Sequence, residues 1–224
     1  MCFFSKSLRN QRSSKRSIQP KHGGSIELLI ATHNQGKYRE FADTLLPMGI
    51  NALSLNSLGI SQQVEETGLS FQENAIIKAT EYYSQSNIPT LSDDSGLIVE
   101  ALEGNPGIRS ARYAGENATD KQNRDKLLLE LRNSPLPMRK AMFVCVIAVI
   151  FAPNNIKVFR GEIKGSIAIK EVGSNGFGYD SIFIPENEAR SMAQLTDYEK
   201  MQISHRGIAL RKTSNWFSNS RILS

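Results

Sequence analysis

Leu91-Ser92-Asp93-Asp94-Ser95-Gly96-Leu97 sets two adjacent carboxylates in a polar turn, where the apolar stretch Ile88 to Leu91 reads as the end of a strand. One carboxylate of such a pair can hold a divalent cation with waters and phosphate oxygens, while its neighbour takes a proton from an attacking water. The same residues can equally cap the backbone of a turn. Upstream, Ile26 to Ala31 reads as a short buried strand running into Thr32-His33-Asn34-Gln35-Gly36-Lys37. A helix from Tyr38 to Leu46 follows, with Phe41, Leu45 and Leu46 on one face. A helix start offers free N–H groups and a partial positive charge, and Lys37 adds a full one, so this turn is an anion site in waiting. It is neither a Walker A loop nor a Rossmann glycine fingerprint. Gly176-Phe177-Gly178-Tyr179-Asp180 pairs two aromatics with glycines that let a flat base approach the backbone and stack. Asp180, Lys200, His205 and Arg206 are polar groups able to read a base edge. His205 alone reads as a surface or satisfied core histidine, and His22 and His33 complete no zinc or triad pattern with it.

These blocks stand in a fixed order along Ile26 to Lys212. Between them come Glu65-Glu66-Thr67-Gly68, Glu73-Asn74-Ala75 with Lys78-Ala79, and Pro106-Gly107-Ile108-Arg109-Ser110-Ala111-Arg112-Tyr113-Ala114-Gly115, and Ser204-His205-Arg206-Gly207 closes the series. Together they resemble the inosine triphosphate pyrophosphatases, also described as XTP/dITP pyrophosphatases. The resemblance implies a Mg2+-dependent hydrolase in which water attacks the α-phosphorus of ITP, dITP or XTP and releases a nucleoside monophosphate and pyrophosphate. It implies an elongated, two-lobed α/β protein with the active site in the cleft, and a homodimer. It makes Asp94 the general base and a metal ligand, with Glu65 or Glu66 as the second metal carboxylate. Neighbouring side chains of an extended segment point opposite ways, and sequence does not choose between that pair. Ser95, Lys37 and Lys78 become phosphate contacts, although Lys78 taken alone reads as a solvated helix residue. Thr32 to Gly36 join the substrate turn, and Phe177, Gly178, Tyr179, Asp180, Lys200, His205 and Arg206 form the base pocket. Inosine and xanthine bases carry O6, an acceptor, where adenine carries an amino donor. A donor such as Arg206 would then reject adenine by leaving buried donors face to face. Where the family usually has proline after its Phe-Gly-Tyr-Asp block, this chain has Ser181, which removes no functional group.

Two rivals arise from the same residues. A Maf-type pyrophosphatase acting on other modified nucleotides lacks its own motifs here. A non-catalytic nucleotide-binding protein should have lost a carboxylate, yet Glu65, Glu66, Asp93 and Asp94 are all present.

Charge has to be located before it is interpreted. The chain is 224 residues long and carries 27 basic and 22 acidic side chains, and six of the basic ones precede the first acid, Glu27. The remaining 21 against 22 leave a nearly neutral body, without the basic stripe expected of a nucleic-acid-binding domain. Residues 1–24, acid-free and rich in Ser, Arg and Lys, are expected to be a disordered extension or an organelle-targeting segment. Residues 25–218 are expected to form one domain, with 219–224 as a tail. The longest apolar run, Ala141 to Ala152, is too short to span a bilayer, so no membrane partner and a cytoplasmic location are expected. Cys2 and Cys145 give no disulfide framework.

The elements follow from pattern. Ser70 with Glu73 and Thr119 with Gln122 read as capping boxes, opening helices to Ser86 and Arg132. Phe71, Ala75, Ile76, Ala79 and Tyr83 share a side of the first. Ala141 to Phe151 reads as a central strand buried on both faces, and Ile156 to Ile169 as its antiparallel neighbour beyond Pro153-Asn154-Asn155. Strands alternating with helices early and a long hairpin later predict an α/β fold with a mixed β-sheet and flanking helices.

Overall fold

The computed structural model describes residues 26–220. The basic segment 1–24, Cys2 and residues 221–224 lie outside this range. Strand β1 (Ile26–Ile30) leads into α1 (Gln35–Leu45), β2 (Ile50–Ser54), α2 (Phe71–Ser86) and β3 (Thr90–Val99). Helix α3 (Asp120–Glu130), the hairpin β4 (Lys140–Ala152) and β5 (Asn155–Ile167), the short β6 (Phe183–Pro185), α4 (Asp197–Ile203) and α5 (His205–Asn219) complete the chain. One six-stranded sheet has the order β2-β1-β3-β4-β5-β6. β1 pairs parallel with β2 and β3, and the remaining pairs are antiparallel. The mixed sheet is the predicted one.

Strand β4 fixes the layers by alternation. Cys145, Ile147 and Val149 face Leu28, Phe41, Leu45, Leu210 and Phe217, the side of α1 and α5. Val144, Val146, Ala148 and Ile150 face Phe71, Ala75 and Ala79 of α2 on the other side. Each of the Val, Leu, Ile and Phe side chains contributes about 1.5–3 kcal/mol when fully buried. A one-residue slip would exchange the two faces, so burial on both sides pins the register. The far ends of the long strands enter a second core, where Leu97, Val99, Phe143 and Ile167 pack with Leu127 and Leu131 of α3 and with Tyr179, Ile182, Phe183 and Met192. These apolar clusters are built on one continuous sheet.

Four local expectations need correction. Asp93 and Asp94 are not in a turn at a strand's end; they sit in the middle of the ten-residue β3, opposite Ile147 and Val146. Leu46, placed on the buried face of α1, is 70% exposed, because the helix gives way to a 3-10 turn at Leu46–Met48. Ser70 does cap α2 through Glu73 N–H, but the Glu73 carboxylate reaches the Leu69 N–H at 2.7 Å in place of the Ser70 N–H. The Thr119–Gln122 capping box is present, and its helix ends at Glu130, two residues before Arg132.

Gly161 allows α5 to approach the sheet. A Cβ there would stand 2.1 Å from the His205 carbonyl oxygen and 2.5 Å from the Ala209 nitrogen, both backbone atoms of α5. Gly161→Ala is therefore expected to push the start of α5 off β5, destabilising the fold by about 1–3 kcal/mol or more. Thermal unfolding would show a Tm lowered by several degrees, and an unchanged Tm would mean that the contact is not tight.

Candidate active site

Adjacent residues of a strand point to opposite faces, and that separates the two aspartates. Asp93 faces α1 and α5. Its Oδ2 lies 2.8 Å from Lys37 Nζ and 4.0 Å from Arg206 Nε, and it accepts from Ser95 Oγ at 2.5 Å. Burial opposes its charge, but Lys37, Arg206 and Lys78 together hold the carboxyl well below the ordinary aspartate range. Asp93 is a fixed anion that neutralises two cations.

Asp94 faces α2. Its Oδ2 accepts from Asn74 Nδ2 at 3.1 Å, and its Oδ1 accepts from the Ser95 N–H and lies 3.9 Å from Lys78 Nζ. Lys78 also pairs with Glu66, which Arg112 approaches at 3.4 Å. Lys78 is thus no solvated lysine, for its side chain is 13% exposed and its charge is held by Asp94 and Glu66 against the penalty of burial. Burial pushes the Asp94 carboxyl upward, and Glu66 adds to that against the pull of Lys78. Glu66 itself is held low, because Lys78, Lys37 and Arg112 together outweigh the cost of its burial. Two carboxylates of different proton affinity therefore meet at one lysine, while Glu65 is exposed.

The turn after β1 builds the neighbouring wall. Asn34 caps α1 by accepting from the Lys37 N–H at 3.0 Å, and Thr32 Oγ1 accepts from the Asn34 N–H. A Cβ at Gly36 would crowd the Phe177 ring, at 3.0 Å. His33 turns towards α2, 3.1 Å from the Tyr82 hydroxyl, and Gln35 is exposed. The structure does not bring these two to the Lys37 side chain.

Phe177 closes the other wall. Lys200 Nζ lies 4.7 Å and the Arg206 guanidinium 5.3 Å from its ring centre. Arg206 donates to Glu40 at 2.6 Å, and Lys200 lies 3.3 Å from Glu40 and 2.9 Å from Asp180. Asp180 Oδ2 also accepts from the Phe177 N–H at 3.0 Å, so Asp180 braces the loop that presents Phe177. Tyr179 is buried in the second core with its hydroxyl donating to the Ser110 carbonyl, and it lines the same hollow as Phe177. His205 lies flat on Phe143 with centroids 4.6 Å apart. Burial, then Arg206 and Lys200, hold it well below the usual histidine range, so it is neutral.

Asn34, Lys37, Ser95, Phe143, Phe177 and Arg206 line one hollow with Gly178, Asp180 and His205. A larger hollow of about 600 Å³ beside Met142, Lys164 and Ile184 is lined by no buried charge. Sequence reading missed Glu40, Asn74 and Arg112. Glu40 follows Lys37 by one helical turn and Asn74 precedes Lys78 by four residues, spacings that place each pair on one helix face.

Residues 28–216 match the Ham1 family. A dITP/XTP pyrophosphatase of Bacillus subtilis (strain 168) is 45% identical over 188 residues, covering 84% of this chain and 95% of that protein. A dITP/XTP pyrophosphatase of Haemophilus influenzae is 44% identical over 186 residues, covering 82% and 95%. Among solved structures, a HAM1 protein from Coxiella burnetii matches with a TM-score of 0.80 at 39% identity, over 87% of this chain and 100% of that one. The Staphylococcus aureus Ham1 protein matches with a TM-score of 0.77 at 43% identity, over 86% and 98%. With its fold, its ordered blocks and most of its length in register with these proteins, the chain belongs to the Ham1 family.

Proposed function

We propose that this protein hydrolyses the triphosphates of deaminated purines, ITP, dITP and XTP, to the nucleoside monophosphate and pyrophosphate, and so clears them from the nucleotide pool. The observation that carries the reading is the division of labour across β3. One face presents Lys37 and the base-side cations, the other a buried carboxylate of raised proton affinity beside a second carboxylate. The relatives named dITP/XTP pyrophosphatase supply the substrate class.

Lys37 and the N-terminus of α1 would receive the phosphate chain, with Ser95 beside them. Phe177 stacks on the base, and Arg206, Lys200 and His205 face its edge. Asp94 accepts the proton of the attacking water as oxygen adds to the α-phosphorus and pyrophosphate leaves. Asn74 and Lys78 hold that carboxylate in place. Mg2+ suits the donor set, because Asp94 and Glu66 converge on one point at Lys78, and magnesium uses one or two carboxylates with waters and substrate oxygens in place of an all-protein cage. When bound it supplies charge neutralisation for the phosphates. Lys78 belongs with these carboxylates more than with the phosphates. A homodimer is part of the proposal through family likeness alone. No helix among the described residues is long and apolar enough to cross a membrane.

Pyrophosphate release measured over a panel of ITP, dITP, XTP, ATP and GTP, with and without magnesium, tests the reading. Release from ITP and XTP well above that from ATP is expected, and equal rates across the panel would remove the assigned specificity.

A further inference from the structure

The hydrogen bonds around Gly178 carry one step that rests on the nucleotide reading above. Gly178 separates the stacking ring Phe177 from the buried Tyr179, and it takes a positive φ of +61°. Its N–H donates to Asp120 Oδ2 at 2.7 Å, and its carbonyl accepts from Arg124 Nη1 at 2.7 Å. Both partners lie one turn apart on α3, a helix whose start is fixed by the Thr119–Gln122 capping box. Arg124 Nε in turn pairs with Glu171 Oε2 at 2.9 Å, and the same oxygen accepts from Ser181 Oγ at 3.0 Å. The Val172 N–H donates to the Ser181 carbonyl at 2.8 Å and closes the circuit.

This wiring addresses a weakness of the loop. Gly173, Gly176 and Gly178 all take positive φ, so the segment has little intrinsic stiffness. A loop that had to be ordered by each incoming base would bind it more weakly than one already set. We propose that Asp120 and Arg124 are positioning residues for base recognition. They hold the backbone of Gly178 from both its N–H and its carbonyl, and thereby preset Phe177 and the Asp180–Lys200 pair. Ser181 joins the same circuit through Glu171.

A rival role for Asp120 is direct contact with the base, since it lines the same hollow as Phe177 and Arg206. The two are separable, because asparagine keeps an acceptor for the Gly178 N–H and loses the charge. Steady-state kinetics on ITP and ATP, with inhibition by inorganic tripolyphosphate, should be measured for Asp120→Ala, Asp120→Asn and Arg124→Ala. Loss of a hydrogen bond to a charged group predicts a KM for ITP raised roughly tenfold in both alanine variants, with kcat nearly unchanged and the ITP-to-ATP preference narrowed. Tripolyphosphate inhibition should stay as in the wild type, and Asp120→Asn should behave nearly as the wild type. An unchanged KM in the alanine variants would overturn the proposal. So would an Asp120→Asn enzyme as impaired as Asp120→Ala, or tripolyphosphate inhibition that weakens in step with KM. The Asp120 pair keeps the test decisive if Arg124→Ala folds poorly. A wild-type enzyme releasing no pyrophosphate from ITP would instead overturn the nucleotide reading and this proposal with it.

Discussion

Asp94→Asn is expected to abolish most of the turnover while leaving nucleotide binding largely intact. Asparagine has the same shape and can still accept from Asn74 Nδ2, at the cost of setting its amide nitrogen beside the Ser95 N–H. It cannot take the proton of the attacking water, and loss of a positioned general base typically costs ~10²–10⁴-fold in rate. Removal of one of two carboxylates at the metal position deepens that loss. Single-turnover hydrolysis of ITP beside calorimetric binding of the same nucleotide would separate the two effects. Near-normal turnover would sink the assignment. Asp93 is a poor substitute for the role, because Lys37 and Arg206 hold its proton affinity too low for it to take a proton from water.

That opposition explains what sequence could and could not convey. The β4–β5 hairpin, the capping residues and the burial of Cys145 were legible, since each follows from apolar periodicity or local turn chemistry. The position of Asp93 and Asp94 was not. Two consecutive aspartates argue against a buried strand on propensity alone, because Asp is depleted there. They are tolerated in β3 because Lys37, Arg206, Asn74 and Lys78 arrive from α1, α5 and α2, none of which is near them in sequence. Family likeness named the pair; only the fold shows that its members serve different faces. Glu66 is the case in small. Sequence left it level with Glu65, and its pairing with Lys78 and Arg112 depends on where the segment before α2 crosses that helix.

Glu40 was missed for a related reason. Its partners Lys200 and Arg206 lie about 160 residues away in the chain, at 3.3 and 2.6 Å in space. The spacing from Lys37 puts Glu40 on the same face of α1, but nothing local shows that Lys200 and Arg206 meet it there. Its carboxyl is nevertheless held low by Arg206 and Lys200 against the cost of its burial, so it remains an anion between two cations. The base pocket is therefore an alternating network, with Asp180, Lys200, Glu40, Arg206, Asp93 and Lys37 joined in sequence. Such a network keeps each donor oriented without leaving a net charge stranded in the interior.

Arg206→Ala should lower catalytic efficiency for ITP far more than for ATP. In the folded protein Arg206 is buried, is anchored to Glu40, lies over the ring of Phe177, and has its Nε 4.0 Å from Asp93. A guanidinium that lines the base pocket is suited to an acceptor that the substrate brings, and O6 of inosine or xanthine is one. Loss of a hydrogen bond to a charged group costs about 1.5–3 kcal/mol, equivalent to a roughly ten- to hundred-fold loss on ITP. Adenine presents a donor at that position and gains nothing from the guanidinium, so ATP should change little. A shared component is also expected, because Glu40 and Asp93 each lose a cation. It is moderated by Lys200, which still faces Glu40, and by Lys37, which still faces Asp93. A Tm measurement isolates that component, and the ratio of the two efficiencies cancels it. If ITP and ATP fell equally, Arg206 would belong to the phosphates or to the fold, and discrimination at O6 would have to come from backbone donors near Phe177.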